Sequence, residues 1–297
     1  MRTRFWHYHS RFDAIETVTR HAMNQPPFGR KPGRVMNFLG VAIDPQIFPS
    51  ALEPLNGFIE AAPMPNNWHA DLAEWGAALH AVDLSGPTFT MIELGCGWGC
   101  WMLNTGVAAK RTGRTVHVIG VEGDAGHIAF AQAGLAENGF AEGESMLVTG
   151  IAAGQSGVAL FPRQETAGES WGLEPVIGAD EARTQELMAT GRYSALPMIS
   201  LAELAAPHAR IDLLHIDIQG GEADLVEACL DVLSAKFAYV LIGTHSREIE
   251  GRLFDMMLRA GWVLDMERPA FLTLAGDRPE VTVDGVQSWR NPALLPD

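Results

Sequence analysis

The stretch that decides the fold is Met91-Ile-Glu-Leu-Gly-Cys-Gly-Trp-Gly-Cys-Trp101. Its apolar start follows the breaker pair Gly86-Pro87 and predicts a buried strand over 89–94. Three glycines at 95, 97 and 99 then allow the backbone to turn sharply and to approach a ligand closely. The helical pattern that follows runs from Trp98 to Lys110. A strand, a glycine-rich turn and a helix in this order are typical of the first unit of a ligand-binding α/β sheet.

Downstream of this unit, short β-branched runs alternate with longer amphipathic runs, a pattern typical of parallel βαβ units. It predicts strands over 116–122, 146–152, 211–217 and 237–242, and helices over 124–138, 222–233 and 246–261. The runs 262–266 and 271–274 are separated by too few residues for a crossover helix, so we predict that they form an antiparallel hairpin. The predicted fold is a doubly wound α/β fold with a mostly parallel, seven-stranded sheet that this C-terminal hairpin closes.

The remaining segments have weaker patterns. Residues 158–161 can pair back on the third strand as a hairpin, and 162–195 form a long excursion without a clean period, typical of a functional or mobile segment. Ahead of the sheet, apolar residues recur at helical spacing and predict one buried helix face, formed by Trp68, Leu72, Trp75, Leu79 and Val82. The residues before this helix have no pattern and are interpreted as an N-terminal extension.

Two kinds of ligand commonly use a glycine-rich turn of this type: the pyrophosphate of a dinucleotide, or S-adenosylmethionine. The dinucleotide fingerprint has Gly or Ala where this chain has Cys100. Glu93 would bring negative charge towards phosphates, whereas S-adenosylmethionine carries a sulfonium and an ammonium that favour a nearby acid. Glu122, at the end of the second strand, can accept both ribose hydroxyl hydrogens of either ligand. The loop therefore favours S-adenosylmethionine.

Titratable residues follow the next two strands of the predicted sheet. The fourth strand ends in His215-Ile-Asp217 and the fifth in Gly243-Thr-His245. Because ligands of open α/β sheets bind at the carboxyl ends of the strands, we expect these residues to face the same crevice as Glu93. Taken singly, His215 is more typical of a core histidine, and Glu222 of a residue that stabilises the first turn of a helix. Their convergence favours a reaction site.

These motifs resemble those of the FkbM-type family of class I S-adenosylmethionine-dependent methyltransferases. The resembling elements are Ile92-Glu-Leu-Gly-Cys-Gly-Trp-Gly, Val121-Glu-Gly-Asp, Gly150-Ile-Ala-Ala and Asp212-Leu-Leu-His-Ile-Asp-Ile-Gln-Gly-Gly-Glu222. The likeness spans about residues 67–275, and the chain departs from it at His215, where the family often has Lys. We divide the chain into an N-terminal extension (1–66), a methyltransferase domain (67–280) and a C-terminal tail (281–297).

The resemblance implies S-adenosylmethionine as methyl donor and O-methylation of a hydroxyl on a sugar, polysaccharide or natural product. We predict that the residues contacting the donor are Glu93, Gly95, Cys96, Gly97, Trp98, Gly99, Glu122, Gly123, Ile151, Ala152 and Asp217. In the long excursion, Trp171, Tyr193 and Arg163 are candidates either for a sugar pocket or for the packing of a lid.

An aliphatic hydroxyl is a weak nucleophile, so a base must take its proton as the new bond forms. The first candidate is His245, because imidazole titrates near neutral pH, and the second is Asp217. His215 is a third candidate for the reaction site. A divalent metal held by Asp217 and His245 could lower the hydroxyl pKa instead, and we favour this alternative less.

The charge, the cysteine spacing and the length of the apolar runs indicate which partners and which location to expect. Against 36 Asp plus Glu the chain has 21 Lys plus Arg, a formal net charge of −15 that disfavours nucleic acid and anionic membranes. The three cysteines have no disulfide or metal spacing, and no apolar run is long enough to span a bilayer, so we expect a cytoplasmic protein. Two rival functions stay open: a nicotinamide oxidoreductase, and a non-catalytic module that binds S-adenosylmethionine or sugar.

Overall fold

The structure, a computed structural model, describes residues 8–23, 28–274 and 277–296. Its strands are β1 (His9–Ser10), β2 (Val35–Met36), β3 (Ala42–Ile43), β4 (Thr88–Leu94), β5 (Thr115–Glu122), β6 (Ser145–Thr149), β7 (Ile151–Ala153), β8 (Gly157–Pro162), β9 (Tyr193–Ser200), β10 (Leu213–Ile216), β11 (Tyr239–Thr244), β12 (Val263–Arg268), β13 (Phe271–Thr273), β14 (Glu280–Val283) and β15 (Gly285–Arg290). Its helices are α1 (Ala14–Met23), α2 (Pro49–Leu52), α3 (Leu72–Leu84), α4 (Cys100–Arg111), α5 (Ala125–Glu137), α6 (Glu181–Ala189), α7 (Leu201–Ala205), α8 (Glu222–Lys236) and α9 (Arg247–Arg259), with 3₁₀ turns at Pro45–Ile47 and Glu53–Leu55.

The main sheet has the strand order β1-β12-β15-β11-β10-β4-β5-β6. Strands β11, β10, β4, β5 and β6 run parallel, whereas β15 is antiparallel to both β11 and β12. This arrangement confirms the predicted α/β fold, with a mostly parallel sheet and antiparallel C-terminal strands. The sheet has eight strands and not seven, because β1 pairs antiparallel with the outer edge of β12.

Helices cover both faces of the main sheet, and each face has its own apolar core. On one face α3 and α4 pack around Phe89 and Met91 of β4, and on the other α8 and α9 pack around Ile92 and Leu94 of the same strand. Because β4 is buried on both faces, apolar side chains point to both sides of the strand, and its one acid, Glu93, is buried with them. The carboxyl ends of β5, β4, β10 and β11 consequently meet along one edge of the sheet.

The predicted hairpin of 262–266 with 271–274 is wrong. Strand β12 pairs with β15, while β13 pairs with β14 in a separate two-stranded sheet. Strand β15 is not predicted from the sequence because it contains the polar residues Gln287 and Ser288, although these are only 1% and 0% exposed. The Ser288 hydroxyl lies 2.8 Å from the hydroxyl of Tyr239, which satisfies it inside the core. The division at residues 66 and 280 stays a prediction, but the tail contains a central strand of the sheet.

The third predicted strand, 146–152, divides at Gly150. Its first part is β6 of the main sheet, and its second part is β7 of a three-stranded sheet with the order β7-β9-β8. A Cβ atom on Gly150 would lie 2.6 Å from Ile199 Cγ1 and 2.8 Å from the Pro197 carbonyl oxygen, so the chain passes between the sheets where only glycine fits. Residues 158–161 therefore pair with β9 and not with the third strand, and the excursion 162–195 contains α6 and the start of β9.

The described part of the N-terminal extension packs against the α/β unit. Helix α1 lies on α3 so closely that a Cβ on Gly76 would lie 2.7 Å from Ala14 Cβ. Asp71 caps α3 by accepting hydrogen bonds from the backbone N–H groups of Ala73 and Glu74. Within the described ranges, no helix combines the length and the apolar character that crossing a membrane requires.

Candidate functional site

A cavity of about 1780 Å³ opens at the carboxyl ends of β5, β4, β10 and β11. It brings together the predicted donor-binding loop and the predicted catalytic residues. The predicted site residues that line it are Glu93, Gly95, Cys96, Gly97, Trp98, Glu122, Gly123, Ile151, Ala152, His215, Asp217 and His245. Gly99 is not among the lining residues; it is the N-cap of helix α4, in a left-handed conformation with φ +78°.

The glycine-rich turn is held against the end of β10. Gly95 has φ +74°, and a Cβ on it would lie 1.9 Å from the Asp217 carbonyl oxygen. Both the conformation and the close approach therefore require glycine at this position. The contact fixes the turn beside Asp217, so the loop and the strand end form one wall of the cavity.

Glu93 sits under this turn with its carboxylate against the N-terminus of α4. It is 2% exposed and accepts hydrogen bonds from the backbone N–H groups of Trp101 (3.2 Å) and Met102 (2.8 Å). Burial raises the pKa of Glu93 to about 8, although the two N–H groups oppose the shift. A cation placed beside this carboxyl group would favour its ionised form.

Glu122 ties the glycine-rich turn to the loop after β5. Its two carboxylate oxygens accept hydrogen bonds from the backbone N–H groups of Gly97 (2.9 Å) and Asp124 (2.8 Å). Each oxygen has a second lone pair, which leaves Glu122 able to accept further hydrogen bonds from a ligand in the cavity. This is the capacity that the predicted ribose contact needs.

Two residues of the glycine-rich turn that we predicted to contact the donor, Cys96 and Trp98, pack against neighbouring parts of the protein. Cys96 is 3% exposed and lies so close to Gly120 that a Cβ there would be 2.7 Å from the Cys96 sulfur. Burial raises the pKa of Cys96 well above its usual value, so the thiol stays protonated at neutral pH. Trp98 forms an aromatic cluster with Trp68 and His69, at centroid distances of 5.8 Å and 5.5 Å.

The long excursion contributes one aromatic side chain to the cavity. Trp171 stacks on His127 with the ring centroids 4.1 Å apart and the planes 7° apart. It also approaches the glycine-rich turn, where a Cβ on Gly97 would lie 3.3 Å from its ring. Trp171 therefore covers the side of the cavity near Glu122, whereas Tyr193 and Arg163 are not among the lining residues.

Asp217, Glu222 and His245 form a group of contacting ionisable side chains at the ends of β10 and β11. The imidazole Nδ1 of His245 lies 2.9 Å from Glu222 Oε1, and its Nε2 lies 3.3 Å from Asp217 Oδ1. Glu222 is fully buried and also accepts from the backbone N–H groups of Ile218 and Gly220. The sequence alone favours Glu222 as a residue that stabilises the first turn of α8, whereas in the structure its carboxylate binds the loop after β10 and contacts His245.

The charges of this group follow from its contacts. Burial disfavours a charged His245, but the hydrogen bond to Glu222 and the charges of Asp217 and Asp284 outweigh it and raise the pKa of His245 to about 9. His245 is therefore an imidazolium at neutral pH and has no lone pair with which to accept a proton. Asp217, whose side chain is 40% exposed to the cavity, is the better placed proton acceptor.

The same three residues are the candidates for the divalent-metal site considered as an alternative. One donor atom from each of Asp217, Glu222 and His245 lies within 4.8 Å of the others, a spacing that could hold a cation. Both imidazole nitrogens already face a carboxylate, however, so a cation bound to either nitrogen would have to displace one of these two contacts. The metal alternative thus competes with a formed ion pair.

The paired imidazolium predicts a specific pH dependence of stability. The folded protein holds the His245 proton up to about pH 9, whereas an unfolded histidine releases it near pH 6.5. The contribution is therefore fully present below pH 6.5 and is lost as the pH rises towards 9. We expect His245→Gln to lower the free energy of unfolding by about 2–3 kcal/mol at pH 6 and by less than about 1 kcal/mol at pH 9.5.

Urea denaturation of the wild type and of His245→Gln at these two pH values measures this difference. His117→Gln, at an exposed position on β5, serves as the control for general effects of pH. An equal loss of stability at both pH values would contradict an imidazolium in the folded protein.

His215 does not join the Asp217–Glu222–His245 group. Its Nε2 lies 3.6 Å from Glu74 Oε1 and its Nδ1 lies 4.0 Å from Glu93 Oε1. Burial lowers the pKa of His215 to about 4, so the imidazole is neutral. It is buried between Glu74 of α3 and Glu93 of β4 and lines the cavity from there, and its catalytic role stays a prediction.

Comparisons with known proteins give one strong likeness. The chain is 46% identical over 264 residues to a protein of Jannaschia sp. (strain CCS1) described as "Putative methyltransferase", covering 89% of this chain and 94% of the relative. Among solved structures it is similar to the C-terminal domain of precorrin-6Y C5,15-methyltransferase from Rhodobacter capsulatus (13% identity, 76% and 91% of the two chains, TM-score 0.41) and to precorrin-6y C5,15-methyltransferase from Geobacter metallireducens GS-15 (8%, 72% and 86%, TM-score 0.39). No protein-family model matches the chain.

Proposed function

The chain belongs to the methyltransferase family of its Jannaschia relative, and from that premise we propose that it methylates a hydroxyl group of a sugar, polysaccharide or natural product with S-adenosylmethionine as donor. The observation that carries the proposal is the position of Asp217, which faces the cavity between the glycine-rich turn and the His245 imidazolium. The motif resemblance to the FkbM-type family supports the choice of a hydroxyl acceptor.

The lining of the cavity fits the proposed donor. Carboxyl groups line it on three neighbouring strands, at Glu122, Glu93 and Asp217, which suits a ligand that carries a sulfonium and an ammonium. Glu122 has free lone pairs for ribose hydroxyl groups, and the apolar residues Ile151 and Ala152 of β7 can flank the adenine ring. When bound, S-adenosylmethionine supplies an electrophilic methyl group on its sulfonium.

The proposed mechanism assigns the acceptor proton to Asp217. A carboxylate oxygen of Asp217 accepts the hydrogen bond of the acceptor hydroxyl and takes its proton as the methyl group is transferred. Burial raises the pKa of Asp217, and the His245 imidazolium opposes this shift and orients the carboxylate, while Glu222 fixes the imidazole. Since the Asp217 side chain is partly exposed in the cavity, it can pass the proton to water afterwards. The predicted role of His245 as base thus gives way to a supporting role in this proposal.

Calorimetric titration with S-adenosylhomocysteine, with NAD titrated in parallel, tests the donor. We expect saturable binding of S-adenosylhomocysteine alone, weakened about 10–100-fold in Glu122→Ala because hydrogen bonds to a charged group are lost. Glu142→Ala, on the exposed loop before β6, is the matched control and should bind as the wild type does. Binding of NAD alone would favour the oxidoreductase hypothesis. Equal affinities of Glu122→Ala and Glu142→Ala for S-adenosylhomocysteine would show that Glu122 does not contact the donor.

A further inference from the structure

One residue of the loop after β10 has a backbone conformation that its residue type rarely adopts. Gln219 has φ +57°, and no other non-glycine residue in the described part of the chain has a positive φ. A Cβ atom destabilises this left-handed conformation, which glycine adopts freely. The chain has glutamine here although the next two residues, Gly220 and Gly221, are glycines. A strained residue beside a reaction site points to a role for its side chain.

The loop is held in this conformation by Glu222. Its Oε1 accepts hydrogen bonds from the backbone N–H groups of Ile218 (3.1 Å) and Gly220 (3.0 Å), the residues on either side of Gln219. Because both N–H groups bind the same carboxylate oxygen, the backbone at Gln219 is fixed between them. The Gln219 side chain therefore starts from a fixed point at the edge of the cavity, which it lines.

The Gln219 amide lies between the Asp217 carboxylate and the long excursion. Its Nε2 donates a hydrogen bond of 3.1 Å to Asp217 Oδ1. On the other side, a Cβ on Gly172 would lie 3.1 Å from Gln219 Oε1, so the excursion packs against the amide and limits its movement. An ionised carboxylate only accepts hydrogen bonds, so the amide nitrogen, and not the amide oxygen, must face Asp217.

The two carboxylate oxygens of Asp217 consequently differ in their contacts. Oδ1 accepts from the Gln219 amide and also lies 3.3 Å from His245 Nε2. Among the residues that the structure describes, none donates a hydrogen bond to Oδ2. Since the Asp217 side chain is 40% exposed to the cavity, Oδ2 is the oxygen that an acceptor hydroxyl can reach.

We propose that Gln219 is a positioning residue for methyl transfer: its amide and the His245 imidazolium hold Asp217 Oδ1, so that Oδ2 faces the acceptor hydroxyl. As the acceptor oxygen forms its bond to the methyl carbon, the bond from that carbon to sulfur breaks and its electron pair goes to the sulfur. The hydroxyl proton passes to Oδ2. This role rests on the proposed function, because it presupposes that Asp217 takes the acceptor proton.

Two substitutions of Gln219 separate the hydrogen bond from the strained backbone. Gln219→Met keeps the length of the side chain and the strain but removes the donor, whereas Gln219→Gly removes both the donor and the strain. We expect both to lower kcat for methyl glycoside acceptors about 10–100-fold, because the orientation of Asp217 is lost, with KM and the affinity for S-adenosylhomocysteine within about twofold. In urea denaturation, Gln219→Gly should have the higher midpoint of the two, since glycine adopts the left-handed conformation without strain.

A control and a double variant show whether Gln219 acts through Asp217. Gln185→Met is the matched control, because Gln185 is exposed on α6 and is not among the lining residues, and its turnover should stay within about twofold of the wild type. Adding Gln219→Met to Asp217→Asn should change turnover by less than about threefold, because the carboxylate on which Gln219 acts is already absent.

Nuclear magnetic resonance tests the contact without methyl transfer. In isotope-labelled protein, the side-chain amide resonance of Gln219 is assigned by its absence from Gln219→Met. We expect Asp217→Asn to shift this resonance, because the substitution removes the charge that the amide N–H contacts. Asp224→Asn, at the exposed mouth of the cavity, should leave it unchanged.

The outcomes separate this role from the proposed function. Turnover close to that of the wild type in Gln219→Met or Gln219→Gly, additive losses in the double variant, or an unshifted amide resonance in Asp217→Asn would each overturn the positioning role and leave the proposed function intact. If the folded wild type methylated none of the glycosides, the proposed function would fail and the positioning role with it. Urea denaturation shows whether each variant is folded, and a Gln219→Met protein that does not fold leaves the test to Gln219→Gly.

Discussion

Replacing Asp217 with Asn should lower the turnover of methyl transfer by about 10²–10⁴-fold while S-adenosylhomocysteine still binds. Asparagine has the shape of aspartate, so it preserves the contact with His245, but it cannot accept a proton at neutral pH. The backbone carbonyl that meets Gly95 is unchanged by the substitution. Turnover is measured as S-adenosylhomocysteine released with a panel of methyl glycosides as acceptors, and binding by calorimetry.

Asp224→Asn is the matched control for this result. Asp224 also lines the mouth of the cavity, but its side chain is 78% exposed and pairs with Arg252, so we expect turnover within about threefold of the wild type. A mild loss in Asp217→Asn together with complete loss in His245→Gln would make His245 the base after all. Unchanged turnover in both Asp217→Asn and His245→Gln would show that neither residue takes part in methyl transfer. If the wild type bound S-adenosylhomocysteine but methylated no acceptor, the non-catalytic module would become the better hypothesis.

Replacing Gly95 with Ala should be more damaging to the fold than any other single methyl group added to the glycine-rich turn. The new Cβ would lie 1.9 Å from the Asp217 carbonyl oxygen, and the residue would have to hold φ +74°. We expect the free energy of unfolding to fall by about 2–4 kcal/mol, as the turn moves away from β10. We also expect the affinity for S-adenosylhomocysteine to fall by about 100-fold, because the shift displaces the donor site.

Gly113→Ala isolates the close approach from the backbone strain. Gly113 has φ +85° just beyond α4, but nothing lies within 4 Å of a Cβ built there. Its substitution should cost about 1–2 kcal/mol and leave ligand affinity unchanged. Urea denaturation and calorimetry on the two variants give the comparison. Equal losses of stability would mean that the contact between the turn and β10 yields easily, and unchanged affinity in Gly95→Ala would place the donor elsewhere.

The parts of the fold that the sequence predicted are those in which local pattern and tertiary environment agree. Strand β4 is buried on both faces, so the apolar residues on both of its sides predict a buried strand, and the glycines after it mark the turn. Strand β15 was missed because Gln287 and Ser288 are polar, and the groups that satisfy them inside the core include the Glu250 carbonyl and the Tyr239 hydroxyl, which are distant in the chain. The break at Gly150 was missed because a contact with β9, and not a local signal, requires it.

The sequence also predicts only those features of the site that follow from local pattern. The rule that ligands bind at strand ends was enough to bring Glu93, Asp217 and His245 into one cavity. The rule could not predict Glu74, because this residue lies on α3 and the position of α3 depends on packing against the sheet. It also could not supply the charge of His245, since this depends on a 2.9 Å contact with Glu222. Residue types and spacing indicate which groups converge, but not which of them carries the proton.

The place of β15 constrains the order in which the sheet can be completed. This strand lies between β11 and β12, although it follows both in the chain. During synthesis on the ribosome, β11 and β12 therefore emerge with open edges and must wait for a later segment to join them. Exposed strand edges invite pairing with other chains. A nascent chain stalled before residue 285 would thus hold most of the ligand-binding edge and yet be prone to aggregate.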